Sequence, residues 1–176
     1  MDILETERLR LRHLSTDDAA FILELLNQPS YLRFIGDRGV RTVPEAERYI
    51  AQGPMASYER YGFGLWMVEM KEGRQPVGTC GLIKRKELDD VDIGYAFPPR
   101  FWGQGYASEA ARAVMAYGRD VLKLKRIVAI VSPDNERSIK LLEKLGLEFE
   151  RTMSWPADGS ELSVYAAGGE PRVTVD

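Results

Sequence analysis

The chain is poor in the residues that build metal and redox chemistry. It holds one cysteine, Cys80, and one histidine, His13, in 176 residues. A single thiol excludes an internal disulfide and a cysteine-based zinc cluster, and it suits a reducing compartment. A single imidazole excludes a multi-histidine centre, and no metal is expected. No apolar run nears the roughly 18 residues of a membrane span, and Met1-Asp2-Ile3-Leu4-Glu5 does not read as a signal peptide. A large excess of one charge is missing too: 24 Lys and Arg stand against 27 Asp and Glu, net −3, so nucleic acid is not an expected partner. What remains is 44% apolar and 29% charged, a globular balance. The expectation is a cytoplasmic protein of one domain over residues 1–168, with a frayed tail at 169–176.

Arg8-Leu9-Arg10-Leu11-Arg12 alternates strictly, which predicts a strand with one wet and one buried face. Ser15-Thr16-Asp17-Asp18 supplies cap residues for a helix that ends near Asn27. Thr42-Val43-Pro44-Glu45 reads as a second helix start, and the helix bends at Gly53-Pro54. Strands follow at Phe63 to Met70, Pro76 to Ile83 and Val91 to Phe97. Ala107, Ala110, Ala111, Val114, Tyr117 and Val121 recur at helical spacing. A strand at Arg126 to Val131, a helix opened by Asn135 and closed by Gly146, and strands at Leu147 to Met153 and Glu161 to Ala167 complete the order. Hairpins followed by strand-to-helix units predict a mixed α/β fold with helices on both faces of the sheet.

Chemistry concentrates where the strand ending at Phe97 runs through Pro98-Pro99 into glycines 103 and 105 and then the alanine-rich helix. Successive N–H groups of such a loop converge, and the helix N-terminus adds partial positive charge, which together make a phosphate cradle. Arg100 stands at its mouth with a fork suited to phosphate oxygens. The same glycines also suit a plain tight turn. A Rossmann loop wants glycine where Ser108 stands, and a P-loop wants Gly-Lys-Ser/Thr where Gly105-Tyr106-Ala107 stand, so both are excluded.

Arg100-x-x-Gly103-x-Gly105-Tyr106-Ala107 resembles the acyl-CoA pyrophosphate loop of the GNAT N-acetyltransferase superfamily. Asn135-x-x-Ser138 through Gly146, the opening Thr6-Glu7-Arg8-Leu9-Arg10-Leu11-Arg12 and Val77-Gly78-Thr79-Cys80-Gly81-Leu82 are similar to further motifs of that family, in the same order. The likeness runs from about Glu5 to Ala167 and points to the branch of the Rim-type ribosomal-protein acetyltransferases. It implies a mostly antiparallel sheet of about six to seven strands, flanked by about four helices. Between the two central parallel strands it implies a V-shaped opening for acetyl-CoA.

The resemblance also implies roles. Backbone at Tyr95, Ala96 and Phe97 pairs with the pantetheine arm. Gly103, Gln104, Gly105, Tyr106 and Ala107 hold the pyrophosphate with Arg100, and Asn135 and Ser138 meet the arm from the other side. The expected reaction is attack of a neutral amine on the thioester. Because amines are mostly protonated at pH 7, a carboxylate base is useful, and Asp92 is the first candidate, ahead of Glu109. Pairing with an arginine equally explains Asp92. An N–H near Phe97 would stabilise the oxyanion. Many relatives carry a tyrosine acid where Leu142 stands; Ser138 is the substitute in the Rim-type branch. Phe34, Trp66 and Trp102 are candidates for the amine pocket, with Tyr31 beside Phe34, and for the tryptophans core packing is the plain alternative. Cys80 reads as a buried thiol and His13 as a strand-end side chain. Lys123, Lys125 and Arg126 suit a helix C-terminus.

The acceptor is expected to be a small-molecule or peptide amine, and the chain a monomer or homodimer without membrane or nucleic-acid partners. The competing function is a non-catalytic acyl-CoA-binding sensor. Transfer of a longer acyl group is a further alternative.

Overall fold

The alternation at the chain's start becomes a strand with Leu9 and Leu11 fully buried on one face and Arg10 and Arg12 on the other. In the computed structural model, which describes residues 1–168, this strand belongs to a sheet of eight. The tail for which fraying was expected, 169–176, lies outside the described residues. The strands are β1 (Asp2–Glu5), β2 (Leu9–His13), β3 (Leu65–Met70), β4 (Pro76–Ile83), β5 (Val91–Ala96), β6 (Ile127–Val131), β7 (Glu148–Ser154) and β8 (Glu161–Ala167). Their spatial order is β1-β2-β3-β4-β5-β6-β8-β7, and every adjacent pair is antiparallel except β5 and β6. The expected architecture is thus present, with one strand more than anticipated, β1.

The helices are α1 (Ala19–Leu26), α2 (Pro29–Phe34), α3 (Val43–Ile50), α4 (Ala56–Tyr61), α5 (Tyr106–Asp120) and α6 (Glu136–Lys144). Thr42 caps α3 by accepting from Glu45 N, as the Thr-Val-Pro-Glu run predicts. The bend expected at Gly53-Pro54 is a π-helical turn, Ala51–Met55, that separates α3 from α4, because Pro54 has no N–H to continue the ladder. α2 was not anticipated as a separate helix; Pro29 sits in its first turn.

Each face of the sheet carries its own core. On one, Leu9, Leu11, Trp66, Val68, Cys80, Leu82 and Ile93 pack against Ala110, Ala111 and Val114 of α5. On the other, Met67 packs with Ile22, Leu25, Ala46 and Ile50 of α1 and α3. Burial of each large side chain contributes roughly 1.5–3 kcal/mol. The alanines let α5 lie close to the strands. Cys80 is fully buried, and burial pushes its thiol pKa far up, so it is inert packing, as expected. Arg126 does more than face a helix end: its guanidinium ties Asp90, beside β5, to Glu150 of β7.

Candidate active site

β5 and β6 pair only at Val91–Ile127 and Asp92–Val128. Beyond that point they part. β5 stays bonded to β4 up to Ala96, and β6 to β8 up to Val131, so two half-sheets diverge from a common hinge. The facing edges, Ile93–Ala96 and Ala129–Val131, border a wedge of the kind that accepts an extended amide chain as an added strand.

At the wide end of the wedge, the chain leaves β5 through Pro98, makes the short 3-10 turn Pro99–Phe101 and enters α5. Gly103 and Gly105 have φ of +76° and +81°, left-handed backbone that L side chains adopt only with strain. Gly105 is the N-cap of α5 and offers no side chain, so the N–H groups of Tyr106, Ala107 and Ser108 receive no cap. Gly103, Gln104 and Gly105 are exposed. An uncapped helix start with exposed amides and aligned dipole favours an anion.

The loop is braced from an unexpected side. Thr6 Oγ1, Arg8 N and Arg8 Nε all donate to the Glu109 carboxylate, the last two at 3.0 and 2.8 Å. Arg8 Nη1 donates to Gln104 O at 2.8 Å, and the guanidinium lies 4.7 Å from the centre of the Tyr106 ring. Burial would raise the Glu109 pKa, but these hydrogen bonds outweigh it and hold the carboxyl below its ordinary value. A first-turn carboxylate that would repel a phosphate is thereby committed to β2's approach. Alongside runs a groove of about 630 Å³, lined by the cap residue Gly105, by Ser108, Glu109 and Arg112 of α5 and by Lys144 of α6.

The remaining candidates have partners of their own. The Arg100 fork is not turned to the loop amides: Glu24 of α1 takes both of its Nη groups, and its Cζ stacks 4.6 Å from the Phe101 ring centre. Asp92 is 1% exposed, with Oδ1 held 2.9 Å from Arg85 Nε, so it presents no oxygen to an incoming amine. The pairing with arginine is the alternative realised; burial still raises its pKa to about 6, against the pull of Arg85. Trp66 is fully buried on the α5 face, edge-on to Tyr117 at 5.4 Å, which removes it from the amine pocket. Asn135 caps α6, its Oδ1 accepting from Ser138 N at 3.3 Å. Phe34 is half-buried at the end of α2, beneath the Arg33 guanidinium, and Arg33 also reaches Asp134 ahead of α6 at 3.7 Å.

Two contacts cross the wedge. Tyr95 OH lies 2.6 Å from Ser138 Oγ, joining β5 to α6. Arg137 stacks on Trp102 at 4.0 Å, and Trp102 Nε1 donates to Phe97 O at 2.7 Å. No spacing rule exposes either, because the partners lie 43 and 35 residues apart in the chain. The Glu109 brace leaves no mark in the sequence, because the helix dipole is reason enough for an acidic residue in a first turn.

Comparison with known proteins decides the family. Residues 8–148 match the acetyltransferase (GNAT) domain, and the chain is 33% identical over 149 residues to the uncharacterized N-acetyltransferase YoaA of Bacillus subtilis, covering 84% of each. The chain belongs to the GNAT acetyltransferase family. This GNAT protein is also 27% identical over 151 residues to the spermidine N(1)-acetyltransferase of Escherichia coli, covering 81% of this chain and 74% of that one. An acetyltransferase from Agrobacterium tumefaciens superposes with a TM-score of 0.79 at 25% identity over 94% of each chain. The same fold is seen in the ribosomal L7/L12 α-N-protein acetyltransferase RimL in complex with coenzyme A, at 19% identity and a TM-score of 0.78, with 96% of this chain and 98% of that one covered. As a member of this family the chain is an N-acetyltransferase. Among the described residues no helix is long and apolar enough to cross a membrane.

Proposed function

We propose that this enzyme transfers an acetyl group from acetyl-CoA to a primary amine by direct attack within a ternary complex. The observation that carries this reading is the parting of β5 from β6 directly beside the uncapped start of α5. A thioester carrier with an amide arm and a diphosphate needs both features at that separation of roles. The edge at Tyr95, Ala96 and Phe97 receives the arm. Gly103, Gln104, Gly105, Tyr106 and Ala107 hold the diphosphate through backbone amides, and Arg112 and Lys144 draw in its remaining negative charge. Arg100 acts here by tying the loop to α1, not by gripping phosphate. An N–H near Phe97 polarises the thioester carbonyl. With Asp92 sealed, the attacking amine loses its proton to solvent. The acceptor is a peptide N-terminus, as with the structurally similar ribosomal-protein enzyme, or a small amine, as with the spermidine relative; Phe34 and Trp102 border its approach.

The test is calorimetric titration with acetyl-CoA, followed by release of free CoA thiol across a panel of N-terminal peptides, polyamines and amino sugars. Binding with thiol release on at least one amine is expected. No binding overturns the reading, and tight binding without transfer to any amine favours a sensor.

A further inference from the structure

Leu142, on the buried face of α6, is 1% exposed and has no proton to give. Across the wedge, a tyrosine reaches the first turn of the same helix. Tyr95 projects from β5 to the first turn of α6, where its hydroxyl is 2.6 Å from Ser138 Oγ and 3.3 Å from Ser138 O. The shorter contact is the stronger one. A tyrosine that donates to Ser138 Oγ occupies one lone pair of that oxygen and leaves the serine proton free to turn into the wedge.

Resting on the acetyl-transfer reading above, we propose that Tyr95 is a positioning residue for the departing sulfur: it orients and polarises the Ser138 hydroxyl, which donates a hydrogen bond to the thiolate. As the amine nitrogen bonds to the carbonyl carbon, the C–S bond breaks and its electron pair goes to sulfur. The proton released by nitrogen goes to solvent, and solvent later protonates the thiolate. Tyr95 and Ser138 keep their protons throughout. Burial, partly offset by the Ser138 contact, pushes the Tyr95 pKa up to about 12. A thiol has a reference pKa of about 8.5, so proton transfer from this tyrosine to the sulfur runs uphill by about three to four powers of ten. The pair is therefore a fixed donor chain, in which each hydrogen bond strengthens the next. Arg137, the residue before Ser138, is the neighbouring cation and stacks on Trp102 at 4.0 Å.

The experiment needs no knowledge of the acceptor. CoA is bound to the wild-type enzyme and to the Tyr95→Phe, Ser138→Ala and double variants, and the ultraviolet absorbance of the bound thiolate is titrated with pH. Binding of desulfo-CoA, which lacks the thiol, serves as the control. In the wild type the bound thiol is expected to be about tenfold more acidic than in either single variant. The double variant should match the singles, because the two hydroxyls act as one chain. Desulfo-CoA affinity reads any loss of contact with the rest of the ligand separately from the acidity of the thiol. A Tyr95→Phe protein that binds desulfo-CoA normally and leaves the thiol as acidic as in the wild type overturns the proposal, as do additive effects in the double variant. Should Tyr95→Phe fail to fold, Ser138→Ala alone decides, and an unchanged thiol there is equally fatal. Failure of the wild type to bind CoA at all sinks the acetyl-transfer reading itself.

Discussion

Asp92 sits in the sheet interior with Arg85 as its ion-pair partner, and burial raises its carboxyl to about 6 from an ordinary value near 3.8. Ionisation thus opposes folding. The stability associated with the protonated form is complete below pH 4 and is lost as pH rises through 6. The shift corresponds to on the order of 3 kcal/mol. Asp92→Asn has no such ionisation, so the wild type should lose up to about 3 kcal/mol relative to this variant between pH 4 and 7, as read by urea unfolding at a series of pH values. The catalytic counterpart is a pH profile. kcat/KM should climb with pH along the acceptor's own amine ionisation, with the same shape in wild type and Asp92→Asn. A limb near pH 6 that disappears in the variant would return the base role to Asp92. The carboxylate, and pairing with an arginine as its alternative role, were visible in the sequence, but Arg85 as the partner was not. Nor was their mutual burial, because alternation assigns a face of the strand and not what covers it. Trp66 makes the same point: Leu65-Trp66-Met67-Val68 is apolar throughout, so no periodicity could say which face it takes.

The Glu109 brace belongs to the scale of elements, because it fastens α5 and its loop to the turn between β1 and β2. Hydrogen bonds to charged groups contribute about 1.5–3 kcal/mol, and with Arg8 two-fifths exposed the lower end applies. Glu109→Ala should therefore lower stability by about 1–2 kcal/mol and weaken acetyl-CoA about tenfold, because Gln104 O loses its anchored donor when Arg8 is released. Differential scanning calorimetry and isothermal titration measure the two effects. Gly105→Val adds a side chain where φ is +81° and where a Cβ would meet Arg8 Nη2 at 3.2 Å. The strain, about 1–2 kcal/mol, should spare the fold yet cut acetyl-CoA affinity at least tenfold. Unchanged affinity in both variants would remove the cradle. α5 and its glycines were legible because helix periodicity and turn chemistry are local. β1 was not: Asp2–Glu5 lacks alternation and becomes a strand only by pairing with β2.

At the scale of the whole molecule, two half-sheets meet at Asp92 and Val128 and open toward α5 and α6. A ligand in that wedge should protect a restricted set of backbone amides. Hydrogen exchange with acetyl-CoA is expected to slow at residues 103–108 and along the parted edges of β5 and β6, while β1, β2 and β3 stay as they were. Protection spread evenly over the sheet would indicate general stiffening and speak against a wedge site. Apart from β1 and α2, the order of elements and the mixed sheet could be read from patterning alone. Contacts across the wedge, from Tyr95 to Ser138 and from Trp102 to Arg137, arise only once the two halves have been brought together.

Cys80, locked in β4 with no exposed surface, has a practical consequence. Any colorimetric reagent that reacts with sulfhydryls would meet none on the native enzyme, so its signal in an assay would count turnover alone. Colour developing before acetyl-CoA is added would then be a readout of unfolding.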